Sequence, residues 1–468
     1  MTDEAAEYTS SLSFDSEIYR ETILVNAVHL KMLHRLGYLS KEDLMKGLSK
    51  LKEMLDNPVS LDNPLLEDIH IVIEDYLSRE KPNAGLNLAL GKSRNDAVAT
   101  AIRMHVKEKI VEIVEEGAEL VETMLKKAEE EAVTVFPVYT HLQIAAPATF
   151  GFVIASYASR ILSALESLTH AYMSSDMCPL GAGAVCGSSI MLDREWLASQ
   201  LGFSYVLENA LEASSSRDFL IDVLSAILKL TLPITDLSEE LVIYSTTEYG
   251  LIDFPDEYSS TSSIMPHKKN PVVAEIGRTK VSEIASEFLR ILMILQRRVS
   301  GYVLDLQQVT PAVWRAINHS LTTLRIFKSL IPQIVINRER AYELCKPPVG
   351  MTELANFLTT RMKMPYRTAH KICGEISLLI IENKLNDNTL GEVFKRHGVD
   401  AVLTSKEVLS LLEPRSIVSS YKTIGSANPY EVSRMVSHMR DELEELKNWV
   451  KTQKETLRSI EKTVFENF

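Results

Sequence analysis

The sequence predicts an all-α protein: three helical domains around a central bundle of long helices. Three observations carry that prediction. The 468 residues hold only 18 Gly and 17 Pro, too few for a chain of many short strands and turns. Hydrophobic residues make up 46% and charged residues 24%, the balance of a folded globular chain and not of a disordered or collagenous one. Apolar residues also recur at helical spacing over long stretches without a breaker.

Residues 1–92 read as a small N-terminal domain of short helices. Ser40 and Asp43 form a capping box with Asp in place of Glu, and Leu44, Leu48, Leu51 and Leu55 continue at helical spacing. Pro64 and Pro82 punctuate this region. Residues 93–345 form the central bundle. From Arg94 to Glu131 there is no Pro and one Gly, Gly117, while Val98, Ile102, Val106, Ile110, Ile113, Ala118, Val121 and Leu125 make an apolar stripe. At 1.5 Å per residue such a helix runs about 55 Å. Further long helices are expected over about 146–174, 216–249 with a kink at Pro233, 271–298 and 311–336. Five in succession carry more apolar surface than one chain covers, so oligomerisation is expected. Residues 346–468 form a C-terminal domain of shorter helices, opened by Pro347, Pro348, Gly350 and Pro365. A charged helix from Pro429 to Phe468 closes the chain, its run Arg440–Lys447 read as a solvated face. Part of these last helices is expected to pack back on the N-terminal domain.

The charge balance narrows function. Asp and Glu number 63 against 50 Lys and Arg, a net charge of −13, which argues against a nucleic-acid binder. Cys178, Cys186, Cys345 and Cys373 show no CxxC pairing; they read as small buried hydrophobes in a reducing compartment. The N-terminus has no apolar signal core and no apolar run reaches the roughly 18 residues of a membrane span, so a cytoplasmic location is expected.

Four polar clusters interrupt the helical pattern. Gly91-Lys-Ser-Arg-Asn-Asp96 stands before the first long helix; it reads either as a helix cap or as a carboxylate site built of helix N–H groups, Arg94 and Asn95. Tyr139-Thr-His-Leu-Gln143 places His141 in a polar break, as a structural histidine or as a general acid or base. Ser259 to Pro271 combines four serines and a threonine with His267, Lys268, Lys269 and Asn270. That composition suits a mobile loop closing over a polycarboxylate. Pro179-Leu-Gly-Ala-Gly183 reads locally as a turn.

Together these segments resemble the fumarase/aspartase superfamily, through Ser262-Ser-Ile-Met-Pro-His-Lys-Lys-Asn270. Within it the chain is similar to the argininosuccinate lyase/δ-crystallin branch, through Ser93-Arg-Asn-Asp96 and Tyr139-Thr-His-Leu-Gln143. Ser11–Asp15, Glu67–His70, Pro179–Gly183, Arg217–Phe219, Asp305–Gln307 and Met364–His370 follow in the family's order over nearly the whole chain. The resemblance implies a homotetramer with a central twenty-helix bundle and active sites shared by three subunits. It implies β-elimination of argininosuccinate to fumarate and arginine, with no metal and no organic cofactor. By motif position, Ser262 is the base, Lys268 and Asn270 stabilise the carbanion, and His141 has an acid or supporting role beside Glu275. Ser11, Asp15, Arg94, Asn95, Thr140, Tyr302 and Gln307 match substrate contacts.

Several positions depart from the family pattern. Ala89-Leu-Gly91 stands where the family reads His-Thr-Gly, Thr261 replaces a glycine, Ala97 replaces a Gln, and Leu304 replaces a lysine expected to meet the substrate. A sister lyase acting on another N-succinyl compound, or a catalytically weak structural homologue, are the alternative readings.

Overall fold

The computed structural model describes residues 2–80, 82–296, 298–400 and 403–466. It is an all-α architecture. The longest central element, Arg94–Glu130, is one unbroken helix of 37 residues, about 55 Å long. It packs against the helices Tyr19–Arg35, Phe150–Ser175, Thr310–Leu330 and Pro429–Phe465. Its one glycine is a packing device. A Cβ on Gly117 would lie 2.4 Å from Leu165 Cδ2, so the glycine allows the Phe150–Ser175 helix to approach closely. Ser93 caps the helix in a capping box with Asp96, and Ser40 caps Lys41–Asp56 through the Asp43 amide at 3.0 Å.

Most of the apolar interior is a single core reaching from Ile18 to Ala341 and taking in Val432–Val464 of the last helix. A separate core lies between Leu354 and Leu412. The last helix is as long as the first central one, 37 residues, and its charge run is only partly solvated. Leu443 and Leu446 are buried. Arg440 pairs with Glu129 at 2.5 Å and Lys447 with Glu122 at 3.2 Å, so this face is bolted to the Arg94–Glu130 helix. The expected end at Phe468 lies outside the described residues.

Three expected helix bounds need correction. Residues 146–149 are not helical: Val135–Thr140 and Gln143–Thr149 pair as an antiparallel hairpin, and the helix begins at Phe150 behind the Thr149 cap. The expected helix over 271–298 is two helices, Val272–Gly277 and Lys280–Leu295. Gly277 sits where a Cβ would meet Ser238 Oγ at 2.6 Å and Phe327 at 2.7 Å. The helix expected to reach 336 ends at Leu330, just before Pro332. Phe219–Tyr244 runs through Pro233 as one helix. Of the cysteines, Cys178, Cys345 and Cys373 are buried as expected and Cys186 is exposed. No helix among the described residues is long and apolar enough to cross a membrane.

Candidate active site

The head of the Arg94–Glu130 helix borders a cleft of about 270 Å³ lined by Glu67, Asp68, Arg94, Asn95, Tyr302 and Gln307, among others. A narrow extension of about 30 Å³ continues inward past Ser11, Asp15 and Arg217. Six of the seven expected substrate contacts therefore meet in one place: Ser11, Asp15, Arg94, Asn95, Tyr302 and Gln307.

The cleft is held by a dense set of bonds. Arg94 Nη1 lies 2.9 Å from both Glu67 Oε2 and Asp68 Oδ2. Glu67 sits at φ 58°, ψ −60°, a strained conformation for a residue with a side chain. Its carbonyl accepts from the Ser11 amide and the Ser10 hydroxyl, each at 2.9 Å. Ser11 Oγ donates to Asp15 Oδ2 at 2.7 Å, and the Ile69 amide donates to the same oxygen at 3.1 Å. Burial pushes the Asp15 carboxyl up to about 7 against those two hydrogen bonds. Gln307 Nε2 donates to the Thr9 carbonyl at 2.8 Å. Glu67 thus ties Ser11 and Arg94 together, a role that the motif Glu67–His70 does not show by its sequence.

The glycine segment Pro179–Gly183 is more than a turn. Asp96 Oδ2 accepts from the amides of Gly181 at 2.9 Å and Gly183 at 3.0 Å, while Oδ1 accepts from the Ser93 amide at 2.9 Å. Both glycines have positive φ, 86° and 66°, which suits glycine and aims successive N–H groups at one carboxylate. Burial still pushes Asp96 up to about 6. Asn95 Nδ2 donates to the Ala184 carbonyl at 3.2 Å, so the segment is stitched to the cleft at two points.

The remaining candidates occupy two other surfaces. Thr140 and His141 lie at the exposed tip of the 135–149 hairpin. Thr140 pairs with Gln143, and His141 and Leu142 make the two-residue turn at φ 53° and 58°, the geometry of a type I′ turn. Aromatic contacts brace the base: Phe136 meets Phe150 at 5.1 Å and Tyr244 at 5.3 Å. A short hairpin carries the serine. Ser260–Thr261 pairs with Lys269–Asn270, so the two ends of the segment expected to be a mobile loop are joined as a short hairpin. Thr261, the residue in place of glycine, is a strand position with no positive φ. Ser262 Oγ accepts from the amides of Met265 at 3.0 Å and Ile264 at 3.3 Å. Lys269 is neutralised by Asp256 at 2.9 Å and Asp253 at 3.2 Å, and these partners raise its pKa. Lys268 is exposed and has no ion pair among the described residues. Glu275 lies on the next helix, Val272–Gly277. Within one chain no hydrogen bond or ion pair among the described residues joins Ser262, His141 and Glu275 to one another.

The lyase family profile matches residues 6–285, and the profile described as argininosuccinate lyase C-terminal matches residues 350–419. Argininosuccinate lyase of Methanococcus aeolicus is 36% identical over 98% of this chain and 94% of its own length. That of Methanocaldococcus jannaschii is 35% identical over 94% of this chain and 92% of its own. The chain belongs to the argininosuccinate lyase family. Solved structures agree on the fold. An EDDS lyase variant with bound fumarate superimposes with a TM-score of 0.86 at 22% identity, covering 96% of this chain and 91% of that one. Class II fumarase from Schistosoma mansoni does so with 0.72 at 17% identity, covering 85% and 90%. The all-α bundle expected from the sequence is thus that of the argininosuccinate lyase family and its structural neighbours.

Proposed function

We propose that the chain catalyses β-elimination of argininosuccinate to fumarate and arginine, the last step of arginine biosynthesis. The observation that carries this reading is the near-full-length 36% identity to a relative of that name. The cleft supports it by gathering the motif positions for substrate contact.

On this reading Ser262 takes the proton from Cβ, the C–H electron pair becomes the C=C bond of fumarate, and the C–N bond breaks towards the guanidino nitrogen. The two amide donors on Ser262 Oγ favour the charged hydroxyl form that a base requires. Lys268 and Asn270 meet the carboxylate on which charge grows as the proton leaves. Unlike Lys269, Lys268 pairs with no carboxylate among the described residues, which suits that task. His141 or a water gives the departing nitrogen its proton, with Glu275 beside the histidine. Thr140 joins the cleft residues in holding substrate. No metal or organic cofactor enters this chemistry.

These groups are proposed to converge from several copies of the chain, in a cytoplasmic homotetramer of about 210 kDa, four times 52.6 kDa, around a twenty-helix bundle. The separation of cleft, Ser262 hairpin and His141 hairpin within one chain supports it. So do an apolar groove of about 460 Å³ between Val273, Ile276, Ile326 and Phe327 and, on the Lys280–Leu295 helix, exposed Leu289, Leu292 and Met293, surfaces that association would cover. The proposed division of the chain is 1–92, 93–345 and 346–468, with the last helix returning to the bundle.

Fumarate release, followed by ultraviolet absorbance, tests the reading with argininosuccinate, adenylosuccinate and aspartate side by side. Turnover of argininosuccinate is expected. Turnover of only another N-succinyl compound transfers the assignment to a sister lyase, and no fumarate from a folded oligomer makes the chain a structural homologue.

A further inference from the structure

One helix of the C-terminal domain has a face with no partner in the chain. The helix Tyr366–Ile381 turns Ala369, Ile372, Cys373 and Ile376 into the separate core. On its other side Arg367, His370, Lys371, Gly374, Leu378 and Ile381 are all exposed. At about 100° per residue these six lie within about 60° of Gly374, in one straight stripe. Leu378 and Ile381 are 59% and 60% exposed. Gly374 stands at the middle of the stripe. Glycine weakens a helix interior and is kept where another element comes close. Gly47, Gly117 and Gly277 follow that rule: an added Cβ would meet a neighbouring side chain at 3.0, 2.4 and 2.6 Å. At Gly374 it would meet nothing within 4 Å, so no close approach within the chain accounts for this glycine.

The two ends of the stripe differ in charge. Residues 361–371 hold Arg361, Lys363, Arg367 and Lys371 and no Asp or Glu, in a chain of net charge −13. Arg367 and Lys371 have no ion pair among the described residues. The other end is apolar and closes on exposed Glu382, where the negative pole of the helix adds to the carboxylate. Such a stripe is complementary to its own reverse. In an antiparallel pair centred on Gly374, the spacing sets Arg367 against Ile381 and Glu382 of the second copy, and Lys371 against Leu378. The long stems then cover the apolar side chains while the charged heads reach the carboxylate and the last carbonyls. We propose that the outer face of Tyr366–Ile381 is an interface between two copies of this chain, with the helices packed antiparallel across Gly374. Its residues are distinct from those of the apolar groove at Val273 and Phe327, so it joins copies in addition to any association there. It does not depend on the reaction proposed above.

Cross-linking and sedimentation of the full chain test it, with exposed Cys186 replaced by Ser in the cross-linking chains. Gly374→Cys lies opposite itself in the pair. Mild oxidation should therefore join two chains into a species of about 105 kDa, twice 52.6 kDa, on a denaturing gel without reductant. Lys406→Cys, exposed elsewhere in the same domain, should give none. Adding Arg367→Glu should abolish the Gly374→Cys link by setting two carboxylates together, and Arg367→Glu with Glu382→Arg should restore it. A helix pair about 24 Å long buries less than a stable complex does, so reversible association is expected in a dilution series. Gly374→Leu should weaken that association roughly tenfold or more while raising the unfolding temperature, because leucine favours a helix. The split separates a blocked contact from a damaged fold. No cross-link from Gly374→Cys, an equal one from Lys406→Cys, or a link indifferent to Arg367→Glu overturns the proposal. Self-association unchanged by Gly374→Leu, or absent from the parent, overturns it as well and leaves the face to a different protein.

Discussion

The cleft at the head of the Arg94–Glu130 helix and the short hairpin carrying Ser262 are built in opposite ways. In the cleft, Glu67, Asp96 and Asp15 each tie together segments distant in sequence, Asp96 and Asp15 from buried positions and Glu67 from a partly exposed one. The hairpin is exposed along Ser263–Lys269, and the bonds of Ser262 all lie within the turn itself. One region is finished by its own chain. The other presents a serine and a lysine outward, as a group destined for a neighbour's cleft would be. The division matches the chemistry proposed above, with recognition preorganised and the proton-transfer machinery brought to it.

The contrast breaks most visibly at Ser262. Ser262→Ala should lower turnover by roughly 100- to 10,000-fold, the usual worth of a general base, and leave thermal stability unchanged because the hydroxyl supports no core packing. Near-parental turnover would remove the serine from the mechanism. Mixing Ser262→Ala chains with His141→Asn chains should partly restore activity if sites are shared. Confirmed subunit exchange without recovery would place all groups of a site on one chain.

Asp96 probes the opposite side of the comparison. Asp96→Ala leaves the amides of Gly181 and Gly183 without their acceptor and should cost about 2–4 kcal/mol of stability, read by denaturant unfolding. Loss of turnover with unchanged stability would mean that the glycine segment is not held by this carboxylate.

Asp15 supplies a pH signature for the cleft. Its folded-state pKa of about 7 lies above the usual carboxylate value. Between about pH 4 and 7 the native protein therefore binds more protons than the unfolded chain at this group, and its contribution to stability falls as pH rises through that window. Arginine binding should run the other way, Asp15 being a proposed substrate contact. The ionised carboxylate is the form that meets a cation, and its fraction grows about tenfold from pH 6 to pH 8. Asp68, Arg94, Arg217 and Tyr302 border the same space, so the profile must be compared with Asp15→Asn. A slope that survives that substitution belongs to one of them.

How much of this was legible in the sequence depends on the range of the forces involved. The long helix from Arg94 was plain, because periodicity and capping are local. The hairpin at 135–149 was not: Ala145-Ala-Pro-Ala148 has no alternating pattern, and its strands exist through pairing with Val135–Thr140 and packing under Tyr244. Gly277, where the first of the two short helices ends, packs closely on Ser238 and Phe327, some 40 and 50 residues away in sequence. At the site, motif order pointed to Ser11, Asp15, Arg94, Asn95, Tyr302 and Gln307 as one group. Arg217 was legible only as part of the matched motif Arg217–Phe219, since only the fold buries its guanidinium.

The smallest expected effect concerns Leu304. Were a lysine at this position the main anchor for a substrate carboxylate, restoring it would return the full value of a buried charge-assisted contact. The structure argues for less. Leu304 is 48% exposed at the mouth of the cleft, where an ion pair is worth about 0.2–1 kcal/mol because water screens it and a flexible side chain must be ordered. Leu304→Lys should therefore lower the Michaelis constant for argininosuccinate by no more than about fivefold, with kcat unchanged, since uniform binding at a site remote from the reacting carbon alters KM alone. The gain should shrink with added salt. A larger fall would show that the outer lysine position, and not the interior of the cleft, governs affinity. A rise in KM would show that the rim is shaped around an apolar residue.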